Sequence, residues 1–353
     1  MNSVHRQSNI ELLRIILMMG IIAHHFVVNS GLLGLMSPSI ENTNDVFLWI
    51  WGMWGKIGIN CFVLITGFFM CQSKFTWKKF LKLVCEVEFY KILIYVIFIS
   101  FGRETISMER LFFLLSPIID FRAEFISGFL VMFLLIPFMN ILIRNLSRIQ
   151  HLSLIGLSLL FFTIWDQFPG VVVPMGYPIW FCVIYIMGAY LRLYPLQNGF
   201  ARALFDSKYS AGLMLTLSVG SVFAMLLLHQ IGLTTWWPHK WVVDCNAPLA
   251  VPTSIAFFNF FRRLDIKPNK WINMISASTF GVFLIHTSSD AMRMFLWGDV
   301  CKCTEWYYSP WLPLYAVLVI CGVFIICTFI DQLRMRYLEK PFLEKGVSRY
   351  INN

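Results

Sequence analysis

Apolar residues in this chain are grouped into long runs and do not alternate with polar ones. Short stretches rich in Gly, Pro, Asn, Lys and Arg separate the runs. A continuous apolar run approaching 20 residues is long enough to cross a bilayer as a helix. Ten such runs are expected: Ile10–Val28, Met53–Cys71, Val84–Phe101, Phe125–Ile143, Leu152–Phe168, Pro178–Leu193, Tyr209–His229, Ala247–Phe261, Ile272–Asp290 and Trp311–Ile330. The pattern predicts an all-α, polytopic integral membrane protein. It forms one domain over residues 1–353, with a core from about 8 to 345. No small-residue cleavage site follows the first run, so it is expected to remain as an uncleaved span.

Composition supports this reading. Hydrophobic residues make up 58% of the 353 and charged residues only 13%, outside the balance of a soluble domain. The distribution of charge adds an orientation. Of 28 Lys and Arg residues, 20 fall on the side of the N-terminus, seven fall opposite, and Lys91 lies inside a span. By the positive-inside rule both termini are then cytoplasmic. The basic residues occur in short clusters at span ends, which makes a nucleic-acid partner the poorer account of the +9 net charge.

Inside the first run, Glu11, Arg14 and His25 break the apolar pattern. Ionisable groups within a span are costly and usually functional. Eleven residues separate Arg14 from His25, which is three turns plus roughly 20°, or about 16 Å along the axis. The two therefore share a stripe, whereas His24 points some 80° away. Glu11, one turn before Arg14, can pair with it. A second intramembrane histidine, His286, lies about as far from the start of its span as His25 does. Both are expected about 21–22 Å into a core about 30 Å thick.

Three further features carry two readings each. The segment Lys74–Leu83 spaces lysines against aromatic and aliphatic residues as an interfacial amphipathic helix does. It is either a lipid anchor or a phosphate-binding patch. The Trp- and Tyr-rich outward loops Ser30–Asp45, Gln230–Asn246 and Leu296–Pro310, with Trp49, Trp51 and Trp54 beside the first, fit an interfacial belt or a sugar-stacking surface. Cys245 can pair with Cys301 or Cys303 on the outward side, where disulfides persist. No spacing of Cys or His suggests a metal site.

The segment IELLRIILMMGIIAHHF resembles the opening motif of the acyltransferase family 3 membrane O-acyltransferases, an arginine followed after ten residues by a histidine. The match falls on Arg14 and His25. GINCFVLITGFFM is similar to the family's second run, with Thr66 where a serine is usual. Lys78, Lys79 and Lys82 stand where the family carries an arginine-bearing motif. EFISGFLVMFLLIPFMN resembles a later span, with Glu124 in place of the usual tryptophan. SASTFGVFLIHT matches the late span that ends on His286.

The resemblance implies transfer of an acyl group, most simply acetyl from acetyl-CoA, to a hydroxyl of a polysaccharide or lipid-linked glycan in the bacterial inner membrane. Acyl-CoA is then a co-substrate, with no permanently bound cofactor. Arg14, Lys78, Lys79 and Lys82 would hold the donor. His25 would act as general base or brief acyl carrier, and His286 would polarise the thioester or position the acceptor. Glu11, Asn60, Arg122 and Glu124 would line the acceptor side. The rival is a secondary transporter or glycan flippase, since intramembrane Arg, His and Glu also build proton relays. The inverted repeat common in such folds is not visible in this chain.

Overall fold

The computed structural model describes residues 7–339 apart from 120–123, 169, 172, 174–175 and 197–198. The chain folds as α1 (Ser8–Val28), α2 (Thr43–Trp51), α3 (Gly55–Met70), α4 (Trp77–Ser100), α5 (Met108–Leu114), α6 (Glu124–Asn145), α7 (Arg148–Leu159) and α8 (Tyr177–Leu193). There follow α9 (Phe200–Phe205), α10 (Ser210–Gln230), α11 (Lys240–Val243), α12 (Ala250–Arg263), α13 (Lys270–Ala277), α14 (Thr279–Thr287), α15 (Asp290–Arg293) and α16 (Leu312–Arg334). Among the described residues there is no strand. In hydrocarbon each backbone N–H and C=O needs a partner within its own segment, and the helix supplies one.

Among the described residues, six stretches are long and apolar enough to cross a membrane unaided: Ser8–Val28, Thr43–Met70, Phe125–Asn145, Arg148–Gln167, Ser210–Gln230 and Leu312–Glu339. The other four expected runs are also helical, but each departs from a simple span. α4 carries Lys78, Lys79, Lys82, Glu86, Glu88 and Lys91 along one helix. α8 has 17 residues and α12 only 14. The ninth run is broken at Ser278 into α13 and α14. The expected amphipathic segment is not a separate interfacial helix, because α4 runs without a break from Trp77 to Ser100.

Lipid-facing surfaces are evident from exposure. Leu318, Ile325, Ile326 and Phe329 on α16, and Phe138 and Ile141 on α6, are all more than half exposed. A soluble monomer rarely presents so much contiguous apolar surface, whereas a bilayer requires it. Inside the bundle the tightest crossing is α3 on α8. A methyl group at Gly67 would overlap the carbonyl of Tyr185, and one at Gly188 the carbonyl of Leu64. Small residues let the two backbones meet, the usual device of helix packing in membranes. Gly67 is the glycine of the ITGF run, so its place in the sequence pattern has a packing cause.

Two sequence expectations change here. Trp49, Trp297 and Tyr307 are fully or almost fully buried, so they are not part of an interfacial belt. Trp49 packs on Trp237 and His239 at 5.5 and 4.9 Å between ring centroids. The Tyr307 hydroxyl donates to Asp45 at 2.6 Å, and the Asn44 amide donates to the Tyr307 carbonyl at 2.7 Å. The start of α2 and the segment before α16 therefore close over each other. The cysteines are all free thiols. Cys245 has no disulfide partner, and Cys301 interacts with Cys303.

Candidate active site

The late part of α1 brings His24 and His25 against α14. α14 is held close to α16 because Gly281 leaves room for the Asp331 carboxylate, which a methyl group there would displace. This close approach sets the depth of His286, which is fully buried. Its Nε2 lies 3.0 Å from His25 Nδ1, and its Nδ1 lies 2.6 Å from the Val282 carbonyl. The two histidines expected at matching depth are in direct contact.

These contacts fix the proton positions of the neutral pair. The Val282 carbonyl can only accept, so His286 carries its hydrogen on Nδ1. His286 Nε2 is then an acceptor, and His25 Nδ1 must donate to it. The remaining nitrogen, His25 Nε2, has a lone pair and no hydrogen. An imidazole held in one tautomer by a partner on its other nitrogen is the arrangement of a positioned general base. The rings of Phe283 and Trp297 stand edge-on to His286 at centroid distances of 6.0 and 6.4 Å. They limit its reorientation.

His25 lies on the wall of a cavity of about 410 Å³. The cavity is formed by the last turns of α1 and α14 and the starts of α3, α6 and α8, with α4 and α5 across from them. That volume is in the range of small-ligand sites. His24 also reaches this wall, contrary to the simple helical-wheel expectation. Its role there differs, since its Nδ1 donates to the Gly52 carbonyl at 2.5 Å and its ring does not bond to His286.

The other expected site residues fall elsewhere. Arg14 is not on the cavity wall. Its Nη1 lies 3.6 Å from Glu11 Oε2, and Ser276 Oγ donates to that same carboxylate oxygen at 2.5 Å. Glu11 thus joins α1 to α13 and turns toward Arg14, and it does not face the cavity. Asn60 is fully buried, and its side chain is committed within the protein. Its amide nitrogen donates to the Cys245 carbonyl at 2.7 Å, and its oxygen accepts from Trp180 Nε1 at 3.0 Å. It braces α3 against α8 and is not among the residues that line the cavity.

Lys78, Lys79 and Lys82 are exposed, and Lys82 pairs with Glu339 at 2.5 Å. Arg122 lies outside the described residues, as does the side chain of Glu124. Sequence reasoning missed Lys56, Tyr177, Arg110 and Arg293, which do line the cavity. One signal was available in Lys91, left unexplained inside a span, which also lines it.

One end of the bundle therefore holds a histidine pair beside a ligand-sized cavity, and the other holds the Glu11–Arg14 pair. No curated protein and no solved structure matches the chain. The sequence model of the acyltransferase 3 family, described as an acyltransferase domain, matches residues 7–331 and so takes in both ends. A match over nearly the whole length decides between the enzyme and the transporter: the chain belongs to the acyltransferase 3 family and is a multi-pass membrane acyltransferase.

Proposed function

We propose that this acyltransferase moves an acetyl group from acetyl-CoA to a hydroxyl of a cell-surface or lipid-linked polysaccharide in the inner membrane of a bacterium. The observation that supports the reading is the His25–His286 pair, whose tautomers leave a free imidazole lone pair on His25, a residue of the cavity wall. His25 Nε2 takes the proton of the acceptor hydroxyl as its oxygen attacks the thioester carbonyl. Collapse of the tetrahedral intermediate breaks the carbon–sulfur bond, and the CoA thiolate leaves with the proton returned from His25. Acceptor and thioester must be held together for this step, which is where binding in the cavity contributes. Surface-glycan ester content compared in cells with and without the protein tests the acceptor assignment. Identical acetyl content would exclude a surface glycan.

The donor enters from the cytoplasmic side, where Arg14 and the basic start of α4 lie if the 20-to-7 charge split sets the orientation. Reporter fusions within residues 74–82 and 262–270 are expected to read as cytoplasmic. An external reading for either would reverse the donor side. Arg14 offers a forked guanidinium to a CoA phosphate. Arg14→Lys is therefore expected to weaken acetyl-CoA binding in nanodiscs by about tenfold, since a bidentate contact becomes a point charge. Lys79→Gln, at an exposed position, should change it by less than about threefold. Equal effects of the two substitutions would remove Arg14 from the donor site.

A further inference from the structure

We infer that Lys56 is a catalytic residue of this acyltransferase: its ammonium donates a hydrogen bond to the thioester carbonyl oxygen and stabilises the negative charge that oxygen acquires, and Tyr177 positions it. The inference rests on the acyltransferase reading above and adds a group to the same cavity. Lys56 and Tyr177 stand on its wall together with His25.

Two glycines set the place of the ammonium. Gly55, one residue before Lys56, packs on His24, and a methyl group there would overlap the imidazole ring. The start of α3 is thereby held against the histidine end of α1. Gly128 of α6 does the same for the start of α8, where an added methyl group would overlap Tyr177. Lys56 bridges the two helix starts by donating to the Tyr177 hydroxyl. Phe181 steadies the Tyr177 ring at 5.2 Å between centroids. An ammonium has three N–H groups, and among the described residues Tyr177 is the one hydrogen-bond partner of Lys56. Two N–H groups are left for a substrate oxygen. Asp244 is near enough for its charge to act on Lys56 without reaching ion-pair distance.

Lys91, Arg110 and Arg293 complete the cationic wall, and each is less suited to the task. Arg293 donates to Asp290 at 2.8 Å and to the Thr287 carbonyl at 3.4 Å. Lys91 donates to the Phe113 carbonyl at 2.8 Å, and Arg110 is exposed on α5.

The charge of Lys56 also acts on the His25 ring. A cation beside a base that becomes cationic opposes the proton transfer. That opposition is offset when a negative charge forms between the two in the same step. The thioester supplies it. As the acceptor oxygen bonds to the carbonyl carbon and its proton passes to His25 Nε2, the π-electron pair of the carbonyl moves onto oxygen. Lys56 donates a hydrogen bond to that oxygen and keeps its own protons. On collapse the carbonyl re-forms, the CoA thiolate leaves, and His25 returns the proton to sulfur. Phe125, Tyr177 and Phe283 line the same cavity, and excluding water from it strengthens the attraction between ammonium and oxyanion.

The test uses membranes carrying the full-length protein and follows CoA release from acetyl-CoA and from fluoroacetyl-CoA, above the level of membranes lacking it. Fluorine withdraws electrons and stabilises the oxyanion by itself, so a group that serves the oxyanion matters less to the fluorinated donor. Lys56→Met keeps the length of the side chain and removes its charge. It is expected to lower kcat for acetyl-CoA about 10²–10³-fold, with KM within about threefold of wild type. With fluoroacetyl-CoA the loss should be about fivefold smaller. Lys56→Arg retains the charge and should recover part of the activity. Tyr177→Phe leaves the ring in place and should lower kcat about tenfold, again less with the fluorinated donor.

A higher KM with unchanged kcat in Lys56→Met would make Lys56 a binding group, and equal losses with the two donors would make it a tether between α3 and α8. Either result overturns the inference. If Lys56→Met does not reach the membrane, Tyr177→Phe carries the same comparison of donors, and equal losses there overturn it as well. Failure of the wild-type protein to release CoA from either donor would instead remove the acyltransferase reading, so the two failures are distinguishable.

Discussion

His25→Ala is expected to lower acetyl transfer to the uncatalysed background, while His24→Ala retains most of the activity. The two residues are adjacent and both reach the cavity, so the contrast isolates one imidazole. His25 Nδ1 donates to His286, which leaves Nε2 as the only nitrogen of the pair with a lone pair to offer. His24 Nδ1 is tied to the Gly52 carbonyl, and its ring packs where Gly55 makes space for it. Losing it removes a hydrogen bond and some packing without removing the base. A positioned general base typically contributes about 10²–10⁴-fold, and a group that also carries the acyl chain contributes more. Transfer of radiolabelled acetyl from acetyl-CoA to glycan, normalised to protein in the membrane, reads the difference. Equal losses in the two variants would show that the histidine pair is not the centre of the chemistry.

Much of this architecture is legible in the sequence because lipid leaves a polypeptide few choices. An apolar run of about 20 residues must form a helix, and helices appear at each of the ten runs. The two histidines share a depth that follows from counting residues at 1.5 Å each, and depth constrains which groups can meet. Azimuth is harder to read. The wheel placed Arg14 and His25 on one stripe, and on α1 they do share it. The three turns between them nevertheless put His25 on the cavity and Arg14 beside Glu11 and α13.

The misplacements have a common physical origin. Asn60 looks like a polar lining group in a span, yet a buried amide is equally well satisfied by a carbonyl and an indole from neighbouring segments, and no single segment reveals those neighbours. Trp49 and Tyr307 look like interfacial anchors until the loops that bury them are placed. The cationic wall is assembled from α3, α4, α5 and α15, four segments spread over more than 230 residues. Only Lys91 carried a local signal, because only it sits in the interior of an otherwise apolar run.

Replacing His286 is expected to reduce kcat by about 10²–10³-fold while leaving the KM for acetyl-CoA close to that of the wild type, because His286 acts through His25. Its Nε2 accepts the hydrogen that holds His25 in the reactive tautomer, and it would share the positive charge that develops on His25 in the transition state. Loss of the group that fixes a catalytic imidazole can cost up to about 10⁴-fold in the serine proteases, where the wrong tautomer is then populated. The partner here is a neutral imidazole and not a carboxylate, so a smaller effect is expected.

His286→Leu and His286→Gln separate this role from packing. Leucine fills much of the space and accepts no hydrogen bond, so His25 is free to flip its proton onto Nε2. Glutamine offers a side-chain oxygen that can accept from His25 Nδ1 and restore the tautomer in part. Activity should therefore rank wild type, then glutamine, then leucine, at similar protein levels. The pH dependence of kcat, which reports groups titrating in the substrate complex, should shift in both variants, because the imidazolium formed at His25 loses its neighbouring ring. A role limited to packing would leave the pH profile in place and rank leucine level with glutamine, and that result would assign the tautomer of His25 to some other contact.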